Sequence, residues 1–260
     1  MHFLDPKVDI AFKKIFSTEH NQAIIIHFLN DMMAHWRWPP ITQVTVLPSL
    51  QQVKDKDRAT NFLDVMCEDV QNRRFVVEIQ VCQHRAFVER VQLYNARAYV
   101  AQNQHKVFYQ KPEPLVTIVI SEPDIFPNKT AYMSYHSTLD QETGENDLQG
   151  QRYVIMNLAK FKKAPKEIET IVDKWCYFFK YTEEISREDL KRLVGEDEII
   201  ERAYLEMATD NWDKHALDRY HYEVDQLKVY ESTIDTVCEK GFEQEYKEGL
   251  DQALKERSRS

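Results

Sequence analysis

The chain has 260 residues, 43% of them hydrophobic and 30% charged, with 13 Phe, 13 Tyr and 4 Trp, enough for a sizeable core in one large domain or a domain with a helical appendage. Its 5 Gly disfavour Gly-rich phosphate loops and dinucleotide-binding folds. A net charge of −9 argues against a simple nucleic-acid coat, yet residues 1–110 hold 13 Lys and Arg against 11 Asp and Glu, while residues 111–260 hold 21 against 32, so any nucleic acid would meet the N-terminal half, the alternative being an acidic C-terminal half that only keeps the chain soluble.

Residues 7–16 place Val8, Phe12, Ile15 and Phe16 at helical spacing. A second helix is expected over 21–35, with Ile24, Ile25, Phe28, Leu29 and Met32 on its apolar face, ended by the prolines at 39–40. Residues 41–50 read as a strand and 51–60 as a polar loop. Strands near 61–69 and 74–82 form a hairpin, and 86–105 form a helix of about five turns. The apolar run 114–122 is typical of a strand buried on both faces. Two further strands, within 131–140 and 152–161, flank a turn-rich segment. From about 166 onward the pattern is helical, with helices over 168–181, 186–207 and 213–235. The expected architecture is therefore α/β, a mixed sheet flanked by helices with a C-terminal helical region. We place a first domain over 1–165 and the helical region over 166–260, with 238–260 as a frayed, flexible or coiled-coil tail.

No segment approaches 18 uncharged apolar residues, and the first residues lack a long apolar run, so neither a membrane span nor a secretory signal is expected. Cys67, Cys82, Cys176 and Cys238 are widely spaced and read as reduced thiols, which points to the cytoplasm.

The hairpin carries acids inside apolar strands: Asp64 in the first, Glu78 in the second, with Gln80 beside it. Opposed residues in an antiparallel pair have indices of constant sum, and their side chains share a face. An even sum, from a three-residue loop such as 70–72 or 71–73, puts Leu63, Val65, Cys67, Val77, Ile79 and Val81 on one apolar face. It also gathers Asp64, Glu78 and Gln80 on the other. Asn72 tolerates the left-handed conformation such loops use. Two facing carboxylates repel unless a cation lies between them, and they suit a hard divalent ion such as Mg²⁺. Such an ion can activate water and stabilise charge on a phosphate. A solvent-exposed polar face would show the same alternation.

These segments resemble the PD-(D/E)XK nuclease superfamily, and more closely the recombination-promoting nucleases, or PD-(D/E)XK nuclease family transposases. "DIAFKKIFS" with "FLNDMM" is similar to the family's N-terminal helices, and "FLDV" followed by "VVEIQ" to its D…E-x-Q core. "ERVQLYNARAY" resembles its Arg- and Tyr-bearing helix, "YVIMNLAKF" its last strand, and "EKGFEQEYKEG" its tail. The resemblance implies a restriction-endonuclease-like core and Mg²⁺-dependent DNA cleavage, with Mn²⁺ or Ca²⁺ as alternative ions. It makes Asp64 and Glu78 the metal-binding acids, and Gln80 the residue standing where many members have Lys.

A neutral Gln cannot assist water deprotonation as Lys would. Arg90, Tyr94 and Arg97 share one helical face by spacing, and Arg90 is the first candidate for a phosphate clamp. Asp9 is an accessory acid candidate, its alternative being a helix N-terminal charge. Lys54, Lys56 and Arg58 are candidate DNA contacts. The expected function is a metal-dependent DNA endonuclease, acting as a homodimer because double-strand cleavage needs two sites. The alternative is a catalytically inactive nuclease-fold DNA-binding or regulatory protein.

Overall fold

The computed structural model describes residues 2–47, 64–82, 86–103 and 111–257, with side chains as far as 236 apart from 235. The chain divides into two compact units, Met1–Lys214 and His215–Ser260.

The first unit contains a six-stranded sheet: β1 (Val44–Leu47), β2 (Val65–Asp69), β3 (Arg74–Gln80), β4 (Leu115–Ser121), β5 (Met133–Ser137) and β6 (Gln151–Asn157). Its order is β1-β2-β3-β4-β6-β5. The pairs β3–β4 and β4–β6 are parallel; β1–β2, β2–β3 and β5–β6 are antiparallel. This is the mixed, restriction-endonuclease-like sheet expected from the sequence. The apolar run of β4 is buried at every position, as a central strand between two parallel neighbours should be.

Among the described residues the unit's α-helices are α1 (Asp9–Phe16), α2 (Gln22–Met33), α3 (Phe87–Ala101), α4 (Ile171–Tyr181), α5 (Arg187–Val194) and α6 (Glu198–Met207). The helix α3 carries the parallel crossover from β3 to β4, and its buried Asn95 donates to Thr117 Oγ1 of β4 at 2.7 Å. Ala98 packs with Met66, Val76 and Leu115, and Phe87 and Val91 pack with Val119 and Ile155. So α3 covers the sheet face that also bears Glu78. The helices α1, α2 and α4 share an aromatic core, in which Phe179 meets Phe12, Phe16 and Phe28, and Trp175 meets Phe28. Trp175 donates its indole N–H to Asp31 Oδ2 at 2.7 Å. The boundary placed at 165 thus falls inside this unit, because α4 closes a core begun by α1 and α2.

The single helix expected over 186–207 is two. Gly195, at φ 58°, ends α5, and Asp197 caps α6 by accepting from the Ile200 amide at 3.1 Å. The second unit is the body of α7 (Lys214–Arg257), whose backbone stays helical through Gly241 and Gly249.

Candidate nuclease site

The hairpin turn sets the position of the acids. Val65 pairs with Val77, Met66 with Val76, Cys67 with Phe75 and Glu68 with Arg74, a constant even sum. The loop is Val70–Asn72, with Asn72 at φ 60° in the left-handed region. Asp69 builds this turn. Its Oδ1 accepts from the amides of Gln71 and Arg73, both at 2.9 Å, while its Oδ2 takes the Arg73 guanidinium at 2.6 Å. Both side chains are buried, so the turn is held by a desolvated, charge-assisted clasp.

One step beyond the ladder, Asp64 and Glu78 cross-bond. The Ile79 amide donates to Asp64 Oδ2 at 2.7 Å, and the Asp64 amide donates to Glu78 Oε2 at 3.3 Å. Each carboxylate therefore satisfies a backbone N–H of the opposite strand, where a carbonyl would otherwise do so. Burial raises the Asp64 carboxyl from 3.8 to about 6, with the Asp9 charge adding to it and the Ile79 amide, Lys13 and Arg90 opposing it. Glu78 is pushed well above its usual range by burial and by the Asp64 charge, against the Asp64 amide and Arg90. The two adjacent acids, Glu78 buried and Asp64 half-buried, are thus both driven toward protonation.

Gln80 closes the end of β3. Its side-chain amide donates to the Cys82 carbonyl, and its Oε1 accepts from Arg90 Nη2 at 2.7 Å. The Arg90 guanidinium also lies 5.4 Å from the Phe87 ring centroid. Gln80 is thus fully oriented, and it holds a permanent cation whose charge acts on both acids.

The other candidates are placed as follows. Asp9 pairs with Lys13 at 2.8 Å on a half-exposed turn of α1, and the charges of both reach Asp64. Tyr94 packs against the cluster of Met66, Val76, Ala98 and Leu115, and Arg97 is exposed. Lys54, Lys56 and Arg58 lie outside the described residues. Two neighbours escaped the sequence reading. Lys13 could have been found from its i, i+4 spacing to Asp9. Glu122, whose amide donates to the Gln80 carbonyl at 2.8 Å and whose carboxylate lies 3.2 Å from buried Lys7, had no local signal.

A family model described as PD-(D/E)XK nuclease family transposase matches residues 6–236. The chain belongs to that family. No curated protein and no solved structure matches it. Asp64, Glu78 and Gln80 all lie within the matched range. Members of this superfamily usually use divalent metals. Among the described residues there is no group of three or more His, Cys, Asp or Glu that could hold one. The oxygen-only pair of Asp64 and Glu78 nevertheless fits a hard ion that keeps waters and takes its remaining ligands from a phosphate. Among the described residues no helix is long and apolar enough to cross a membrane.

Proposed function

We propose that the protein is a metal-dependent DNA endonuclease that hydrolyses phosphodiester bonds at Asp64, Glu78, Gln80 and Arg90. The observation that carries this reading is the facing of Asp64 and Glu78, each carboxylate accepting from a backbone amide across the hairpin and each pushed toward protonation. Asp64 and Glu78 would hold Mg²⁺, which supplies a polarised water and charge stabilisation when bound. Mn²⁺ or Ca²⁺ offers the same oxygen preference. The backbone amides of Ile79 and Asp64 fix the two carboxylates, leaving their other oxygens to face the ion. Arg90, oriented by Gln80, binds a non-bridging oxygen of the scissile phosphate and offsets the charge that builds there. That arrangement supplies from α3 the positive charge that a Lys at position 80 would have brought. Asp9 and Lys13 sit at the rim as accessory charges, and Lys54, Lys56 and Arg58 are DNA-contact candidates from the loop before the hairpin. Cleavage of both strands by a homodimer would use two such sites.

Cys67 and Cys176 are buried free thiols, which supports a reducing compartment such as the cytoplasm. Burial pushes the Cys67 thiol up to about 12, so it is no nucleophile.

Plasmid nicking with Mg²⁺, Mn²⁺ or Ca²⁺ tests the proposal. Wild type should nick with at least one ion, and Asp64→Ala should not. Equal nicking by both sinks the assignment of this site. DNA binding without cleavage by wild type would favour a non-catalytic DNA-binding role, to which the neutral Gln80 is suited.

A further inference from the structure

Beside the acid pair, on the sheet face covered by α3, lies a cavity of about 170 Å³. Phe87, Phe126 and Tyr153 give it aromatic walls, and Val91 and Ile155 form its apolar floor. Gln92 and His136 are its polar groups. A cavity of about 150 Å³ accepts a single benzene ring, so this one is sized for one flat ring rather than a drug-sized ligand.

Its position relates it to the acids. In the sheet register Glu78 pairs with Val119, and Val119 with Ile155. The floor is therefore two strand spacings from Glu78, about 10 Å. Phe87 is shared: it lines the cavity, and the Arg90 guanidinium lies 5.4 Å from its ring centroid. On the far rim, Lys129 Nζ lies 4.8 Å from the Phe126 ring centroid and 3.5 Å from His136 Nε2. The rim is braced in advance. Lys160 donates to the Phe126 carbonyl at 2.8 Å and meets Asp124 at 3.2 Å, and Asn157 donates to Asp124 Oδ1 at 2.8 Å. Burial and the Lys129 charge lower the His136 pKa, favouring a neutral imidazole; its Nε2 meets Ser134 Oγ at 2.9 Å, which leaves Nδ1 for a ligand edge.

We propose that this cavity receives one unpaired base of the nucleic-acid strand, a pyrimidine by its size, within a nucleotide or two of the phosphate held by Arg90. A base offers the flat apolar faces that the aromatic walls stack on and the polar edge that Gln92 and His136 can meet. Its flanking phosphates fall toward Arg90 on one side and Lys129 on the other. An apolar peptide side chain would use the walls but would leave that polar edge and both cations without a role. The consequence is a preference for sites where a base is already unstacked, because extruding a paired base costs stacking and pairing energy. The inference rests on the nuclease reading for its substrate.

The test uses the full-length protein without divalent ion. It is titrated against duplexes carrying the fluorescent pyrimidine pyrrolo-cytosine, unpaired in one and paired in the other. Wild type should change the emission of the unpaired analogue and bind that duplex roughly ten-fold more tightly than the paired one, the order of one aromatic stacking contact. Phe126→Ala should abolish both effects. Gln92→Trp, on the exposed side of α3, should block the mouth and do the same with an unchanged melting temperature. Equal binding of the two duplexes by wild type, or an emission change that survives both substitutions, overturns the proposal. These signals need no hydrolysis, so the two readings fail separately. An intact base signal without any cleavage under added Mg²⁺, Mn²⁺ or Ca²⁺ counts against the nuclease alone. Cleavage without a base signal counts against the cavity alone.

Discussion

A carboxylic acid held like Asp64 weakens the fold it belongs to. Its pKa is raised from 3.8 to about 6, so the folded chain binds that proton more tightly than the unfolded chain. The pair is therefore tolerated best at low pH, and stability falls as pH rises from about 4 through about 6. A displacement of that size corresponds to about 3 kcal/mol. Asp64→Asn, which keeps an oxygen for the Ile79 amide, should raise the melting temperature of metal-free protein at pH 8 by several degrees, shrinking to nothing near pH 4. Mg²⁺ should raise the melting temperature of wild type and leave that of Asp64→Asn unmoved. Scanning fluorimetry at the two pH values reads all three outcomes. The cation of the site can be tested in the same residue-by-residue way. Arg90→Ala should reduce nicking by about 10²–10³-fold, as for loss of one preorganised charge-stabilising group. Gln80→Ala should reduce it by roughly ten-fold, since Arg90 keeps its charge but loses its acceptor. Arg90→Lys should fail to restore the rate, because an ammonium cannot present the same fork to Gln80 and a phosphate together.

The hairpin of β2 and β3 depends on its turn more than on its strands. Asn72→Gly should be neutral or slightly stabilising, whereas Asn72→Val should lose roughly 1–2 kcal/mol in denaturant unfolding, because a β-branched residue is poorly suited to φ 60°. Asp69→Ala should lose more, about 3–5 kcal/mol, by stranding buried Arg73 without its partner. This hairpin was also the element most legible in the sequence. Side-chain alternation has a period of two, so the strict partition of Val65, Cys67, Val77 and Ile79 from Asp64, Glu78 and Gln80 admits one register. The run 114–122 was legible as a strand for a related reason: uninterrupted β-branched residues need two covered faces. What local pattern could not give was anything made between distant elements. Arg90 was expected as a separate phosphate clamp, but its bond to Gln80 depends on how α3 crosses the sheet. The approach of Lys13 to Asp64 depends on where α1 docks, and the cavity draws walls from α3, β5, β6 and the segment after β4. The break between α5 and α6 did leave a signal, Gly195 followed by Asp197, which the amphipathic pattern over 186–207 masked.

The whole chain divides its labour. Met1–Lys214 contains every described residue of the candidate site together with the aromatic core that positions α1. The described remainder is the helix α7, which leaves Tyr222, Val229 and Tyr230 exposed. A chain ending at Lys214 should therefore keep a cooperative melting transition and nick one strand of a plasmid. If α7 serves dimerisation, the same truncation should convert a dimer to a monomer in light scattering and depress linearisation of the plasmid more than nicking.

The three-residue turn also governs how this site can be inherited. Most single substitutions around Val70–Asn72 adjust stability by degrees and leave Asp64 opposite Glu78. A codon gained or lost there is different in kind. It moves one strand by one place, turns Asp64 to the opposite face of the sheet and buries a carboxylate among Val77 and Ile79. Two codons restore the facing. Descendants of this hairpin should therefore vary in turn length by even steps while the acid pair is kept, and an odd step marks a lineage in which it has been given up.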